Sequence, residues 1–130
     1  MALLTLAACR RLLEELRTDS VPSYLSWSIC YEFLRVSTHL RVFRSPWNAG
    51  LAWSFIDSIL AAPGFALLTE TSRHRAVLEQ TIAELPDLRG NILHDAHTAV
   101  IMRENGINQI YTRDTDFARF PFLTIIDPLR

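Results

Sequence analysis

The stretch Asn91–Phe120, NILHDAHTAVIMRENGINQIYTRDTDFARF, holds a helix, a tight stop, a strand and an acidic turn in succession. Asn91 has the side chain of an N-cap, able to accept from the orphan amides of a first helical turn. Ile92, Ala96, Ala99, Val100 and Met102 follow at helical spacing, leaving a polar side opposite. Gly106 suits the left-handed residue that ends such a helix. Ile107 to Thr112 is a short, mostly apolar run of strand size, and Asp114 and Asp116 come directly after it. One carboxylate, Asp95, thus stands in the first helical turn, with two more just past a strand end. Open α/β sheets bind ligands outside the carboxyl ends of their strands, so the stretch proposes an acidic site.

Outward from there, strands and helices alternate. Upstream, Ala2 to Arg17 reads as a helix with Leu6, Cys9, Leu13 and Leu16 in one stripe, and Arg10, Glu14, Glu15 and Arg17 on its wet side. Val21 to Leu25 reads as a strand, and Ser26 or Ser28 as the cap of a helix SICYEFLRVST. Ser45-Pro46 predicts the start of a further helix reaching about Ala62, since proline suits the first helical position. Phe65 to Leu68 is a strand, Thr71 or Ser72 caps a helix reaching about Leu85, and Leu123 to Ile126 is a last strand. The pattern predicts one α/β domain over residues 1–130 with a parallel sheet and helices on its faces. The length suffices for a single real core.

Charge and composition narrow the function little. A net charge of −1 favours no class of partner, so nucleic acid would have to be met by local arginines. Cys9 and Cys30 lie in apolar helical settings, which predicts buried thiols in a reducing compartment. MALLTLAAC lacks the basic start and the cleavage site of a signal peptide, and no run is long enough to span a bilayer. The expected location is the cytoplasm, with no membrane association.

Four acids are candidates for chemistry: Glu32, Asp95, Asp114 and Asp116. Each follows a predicted strand end, and a parallel sheet gathers such positions. Clustered carboxylates repel one another unless a positive charge offsets them, and a hard divalent cation such as Mg²⁺ does so with oxygen ligands. Taken singly, each acid is as well read as a surface or capping residue; Asp95 would stabilise its helix N-terminus alone. Arg35, Arg113 and Arg119 either hold a phosphate or serve as counter-ions to these carboxylates. His94 and His97, without a cysteine partner, do not make a zinc site; one flanks the acids and the other belongs to the helix surface. Arg73, His74 and Arg75 read as a solvated basic face. Trp47 and Trp53 fall off the apolar stripe of their helix, as margin of the core or as an apolar patch for a partner.

The segments SWSICYEFLRVSTHLRVFRSPW (26–47), GNILHDAHTAVIMRENGINQIYTRDTDFARFPFL (90–123) and IDPL (126–129) resemble the PIN-domain toxins of VapC type, the ribonuclease halves of bacterial type II toxin–antitoxin systems. The order Glu32, Asp95, then Asp114 with Asp116, at these separations, is the specific part of the likeness. The resemblance implies an α/β/α sandwich and Mg²⁺- or Mn²⁺-dependent hydrolysis of RNA phosphodiester bonds. It matches Glu32, Asp95, Asp114 and Asp116 to the family's catalytic, metal-holding acids. It implies a homodimer neutralised by a cognate antitoxin. A catalytically inactive remnant that only binds an antitoxin or another protein is the rival reading.

One departure shapes a further expectation. The family opens on an apolar strand, central in its sheet, that ends in Asp-x-Asn, and that Asp is a principal metal ligand. Here Ala2 to Arg17 matches the later part of the family's first helix, and no acid precedes Glu14. The resemblance therefore implies an N-terminally truncated domain lacking its central strand, marginal in stability and impaired in cleavage.

Overall fold

A computed structural model describes residues 2–4, 22–40 and 45–127. Five strands form one parallel sheet: β1 (Ala2–Leu4), β2 (Ser23–Ser26), β3 (Phe65–Leu68), β4 (Gln109–Tyr111) and β5 (Thr124–Ile126), in the order β3-β2-β1-β4-β5. Four helices are described: α1 (Trp27–Ser37), α2 (Ala49–Leu60), α3 (His74–Glu84) and α4 (Ile92–Glu104), with a short 3₁₀ turn at Thr115–Arg119. No described helix is long and apolar enough to cross a membrane.

The expectation of a missing central strand is corrected. Ala2–Leu4 is the central strand, with Leu3 opposite Tyr24 of β2 on one side and opposite Ile110 of β4 on the other. The backbone groups of β2 and β4 that face the sheet's centre need partners, and this short apolar run supplies them. The predicted Ala2–Arg17 helix therefore does not include Ala2–Leu4; its remainder, with Cys9, lies outside the described residues.

Alternation along the strands separates two cores. Tyr24, Leu68, Ile110 and Ile125 face one way, onto α4 and its Ala96, Ala99 and Met102. Leu25, Phe65, Leu67 and Tyr111 face the other way, onto Cys30 of α1 and Ile56 and Ile59 of α2. A two-residue side-chain period leaves both faces apolar and covered by helices, which is the predicted α/β/α sandwich. Cys30 is a buried free thiol as expected, and burial raises its pKa.

One helix start follows its sequence reading and three differ. Ser26 caps α1, accepting from Ile29 N at 3.4 Å. Ser45-Pro46 does not open α2; Asn48 does, accepting from Leu51 N at 2.8 Å. The intervening Trp47 donates its amide to Ser37 O at 3.0 Å. Thr71 accepts from Arg73 N at 3.1 Å in a turn before α3, which has no side-chain cap. Asn91 likewise makes no cap bond, because its own backbone is already helical and its side chain cannot curl back onto the first turn. Gly90, at φ +66°, takes the left-handed step instead. Gly106, at φ +71°, ends α4 as predicted.

Candidate metal centre

Parallel strands place all their carboxyl ends on one edge, and α4, running back toward β4, begins at that edge. The first turn of α4 therefore meets the loop after β4. Asp95, half-buried, and the exposed Asp114 and Asp116 each offer a carboxylate oxygen within 4.8 Å of the others, the only such metal-sized group among the described residues. Asp95 and Asp114 line a cleft of about 530 Å³, together with Ser28, Glu32, His94 and Thr112 among others, and Asp116 stands beside them outside its lining.

Local bonds hold the turn and aim one of the three. Thr112 is buried, donates its amide to Ile126 O at 3.0 Å, and accepts the Asp114 amide on its hydroxyl at 3.0 Å. Asp114 in turn accepts the Asp116 amide at 2.9 Å. Thr112 is the residue that sequence reasoning passed over; its signal was a hydroxyl two positions before an acid, the spacing of a side-chain-closed turn. The pKa of Asp95 is raised, by burial first and then by the charges of Asp114 and Asp116, with His94 opposing. Burial and repulsion both disfavour three ionised carboxylates here unless a positive charge offsets them.

Glu32 lines the same cleft but stands outside the three-aspartate group. Both its oxygens accept from Arg35, at 3.1 and 2.5 Å, and this bonding holds its pKa below the ordinary range. Of the two roles left open for Arg35, the structure shows the counter-ion. Arg113 lines the cleft and pairs with Asp127 at 3.5 Å. Arg119 is not at the cleft; it lines a separate recess with Glu84 and Leu88. His94 is at the cleft, whereas His97 bonds Glu70 at 2.7 Å on another side of α4. His74 is no member of a solvated face: it bonds the buried Glu104, which also accepts the Thr71 amide. Trp47 and Trp53 remain about two-fifths exposed, Trp53 stacked on Trp27 and Trp47 against Phe33 and Phe55.

Sandwich, strand order and acidic edge together define a PIN-like domain. No protein-family model matches the chain. Ribonuclease VapC43 of Mycobacterium tuberculosis is 38% identical over 120 residues, covering 92% of this chain and 80% of that protein. Ribonuclease VapC48 of the same organism is 31% identical over 105 residues, covering 81% and 72%. Among solved structures, VapBC2 from Rickettsia felis bound to a DNA fragment from its promoter matches 97% of this chain at a TM-score of 0.64 and 15% identity, a likeness of fold. The chain belongs to the VapC ribonuclease family.

Proposed function

We propose that this chain is a toxin-type endoribonuclease of the cytoplasm, hydrolysing RNA phosphodiester bonds with Mg²⁺ or Mn²⁺ held by Asp95, Asp114 and Asp116, with Glu32 at the same cleft. The observation that carries the reading is the convergence of three carboxylates in a chain of this family. The donor set fits: all-oxygen, anionic and partly exposed, as a hard divalent ion that keeps several waters requires. When bound, such an ion supplies Lewis acidity toward a phosphoryl oxygen and acidifies a water.

The chain's own residues do the rest. Thr112 accepts the Asp114 amide and the Asp114 carboxylate accepts the Asp116 amide, so that carboxylate keeps its aim without an ion. His94 and Arg113 stand at the cleft, able to donate to phosphate oxygens of the strand. After β1 the sequence continues with Thr5 and Leu6, which bring no carboxylate, so ion affinity is expected to be weak. The exposed rings of Trp27, Trp47 and Trp53 are apolar surface suited to protein partners, a cognate antitoxin or a second copy. Sedimentation of the chain alone and with its antitoxin reads this, and a monomer in both cases counts against it.

The deciding experiment measures RNA cleavage with Mg²⁺, with Mn²⁺ and with chelator, for wild type and Asp95→Asn. Cleavage lost on chelation and in the variant supports the assignment. Cleavage that survives both overturns the metal site, and a folded wild type that binds antitoxin yet never cleaves points to the binding-only remnant.

A further inference from the structure

Glu32 keeps company that does not suit an idle ligand. It lines the cleft beside Asp95 and Asp114, yet its carboxylate is turned to Arg35, one helical turn along α1, by two hydrogen bonds. The two side chains are about half exposed, 47% for Glu32 and 59% for Arg35. A pair so exposed competes with water and salt and is weakly held. A divalent cation at the neighbouring aspartates would draw the same carboxylate. The guanidinium then left over has the planar fork that matches a phosphate.

We infer that Arg35 and a divalent cation exchange places on Glu32, so that ion binding frees Arg35 to take a phosphate oxygen of RNA at the cleft. Arg35 is then a positioning residue in the ion-free chain and an RNA contact in the loaded one. Coupling of this kind is reciprocal: RNA on Arg35 releases Glu32 and favours the ion. The inference rests on Asp95, Asp114 and Asp116 as the ion's holders.

Two binding measurements test it, neither needing catalysis. The first is calorimetry of Mn²⁺ at low salt. Arg35→Gln should bind Mn²⁺ about two- to five-fold more tightly than wild type, the range expected for losing an exposed competitor. Arg35→Lys, which keeps charge without the fork, should fall between. The gain should vanish in the Glu32→Gln background, as a double-mutant cycle requires of a direct coupling. The second is binding of a short single-stranded RNA in chelator, where no ion is present. Glu32→Gln should tighten RNA binding more than Asp116→Asn, which removes the same charge while leaving Arg35 paired. That excess should disappear when Arg35→Gln is added. Arg35→Gln with unaltered Mn²⁺ affinity, or Glu32→Gln and Asp116→Asn with equal gains for RNA, overturns the exchange while leaving the three-aspartate site standing. Asp95→Asn with wild-type Mn²⁺ affinity removes that site itself.

Discussion

Glu104 carries its charge in the last turn of α4, where the helix dipole disfavours it, and its side chain is fully buried. Burial alone would raise its pKa, but the Thr71 amide and His74 more than offset that and hold it below the ordinary range. The β3–α3 connection is thereby fastened to α4, with Asn105 adding a bond to Thr69 O at 3.0 Å. A depressed folded pKa gives stability that is complete above the unfolded value of about 4.3 and is lost as pH falls through the folded one. Glu104→Gln should therefore cost about 1–3 kcal/mol at neutral pH. Urea unfolding across a pH series should show that difference shrinking on the acid side; a constant difference would refute the charge's role. Nothing local in the sequence marks Glu104, because its partners lie some thirty residues upstream (separations of 33 and 30). Thr112 was passed over despite a local signal, its hydroxyl two positions before Asp114. Thr112→Val keeps the shape and removes the acceptor for Asp114, so the fold should hold while Mn²⁺ affinity falls by about 10-fold, the low end for loss of a ligand's supporting bond; calorimetry reads it.

At the scale of the element, most of the chain was legible from period and punctuation. β3, α4 and the stop at Gly106 follow from a short apolar run, helical spacing and a glycine. Gly106 also gives a sharp prediction. A Cβ there would meet nothing within 4 Å, so Gly106→Ala costs only the left-handed backbone, about 1–2 kcal/mol. Thermal unfolding should register that loss without any change in ion affinity. The helix starts were less legible because several good caps compete within a few residues. Asn48 and Ser45, or Gly90 and Asn91, differ by which backbone is already committed, and Trp47 binding Ser37 O decides the first case from outside the helix. The acidic cluster was legible for Asp95, Asp114 and Asp116, which lie in one continuous stretch. Glu32 was legible only as a neighbour, since the rotamer that gives it to Arg35 is a matter of side-chain competition, which spacing does not encode.

For the whole molecule, the decisive strand was the one sequence reading missed. Alanine and leucine, which dominate Met1–Cys9, are strong helix formers, and their apolar stripe continues at helical spacing. Long-range pairing overrides that preference at Ala2–Leu4, because β2 and β4 require a partner between them. The sheet is thus continuous, and the chain should unfold in one cooperative step. Ile110, wholly buried beside that strand, tests the centre: Ile110→Ala should cost about 2–5 kcal/mol, with a lowered denaturant midpoint and an unchanged slope. The pairing of Leu3 with Ile110 also has a consequence for how the protein is made. Leu3 and Ile110 leave the ribosome far apart in time, so the β1–β4 seam can form only after a long loop has been closed. Asp114 and Asp116 emerge only after Ile110, so the acidic cluster is completed no earlier than that seam. A nascent chain that has not yet released the loop after β4 therefore holds no three-aspartate cluster.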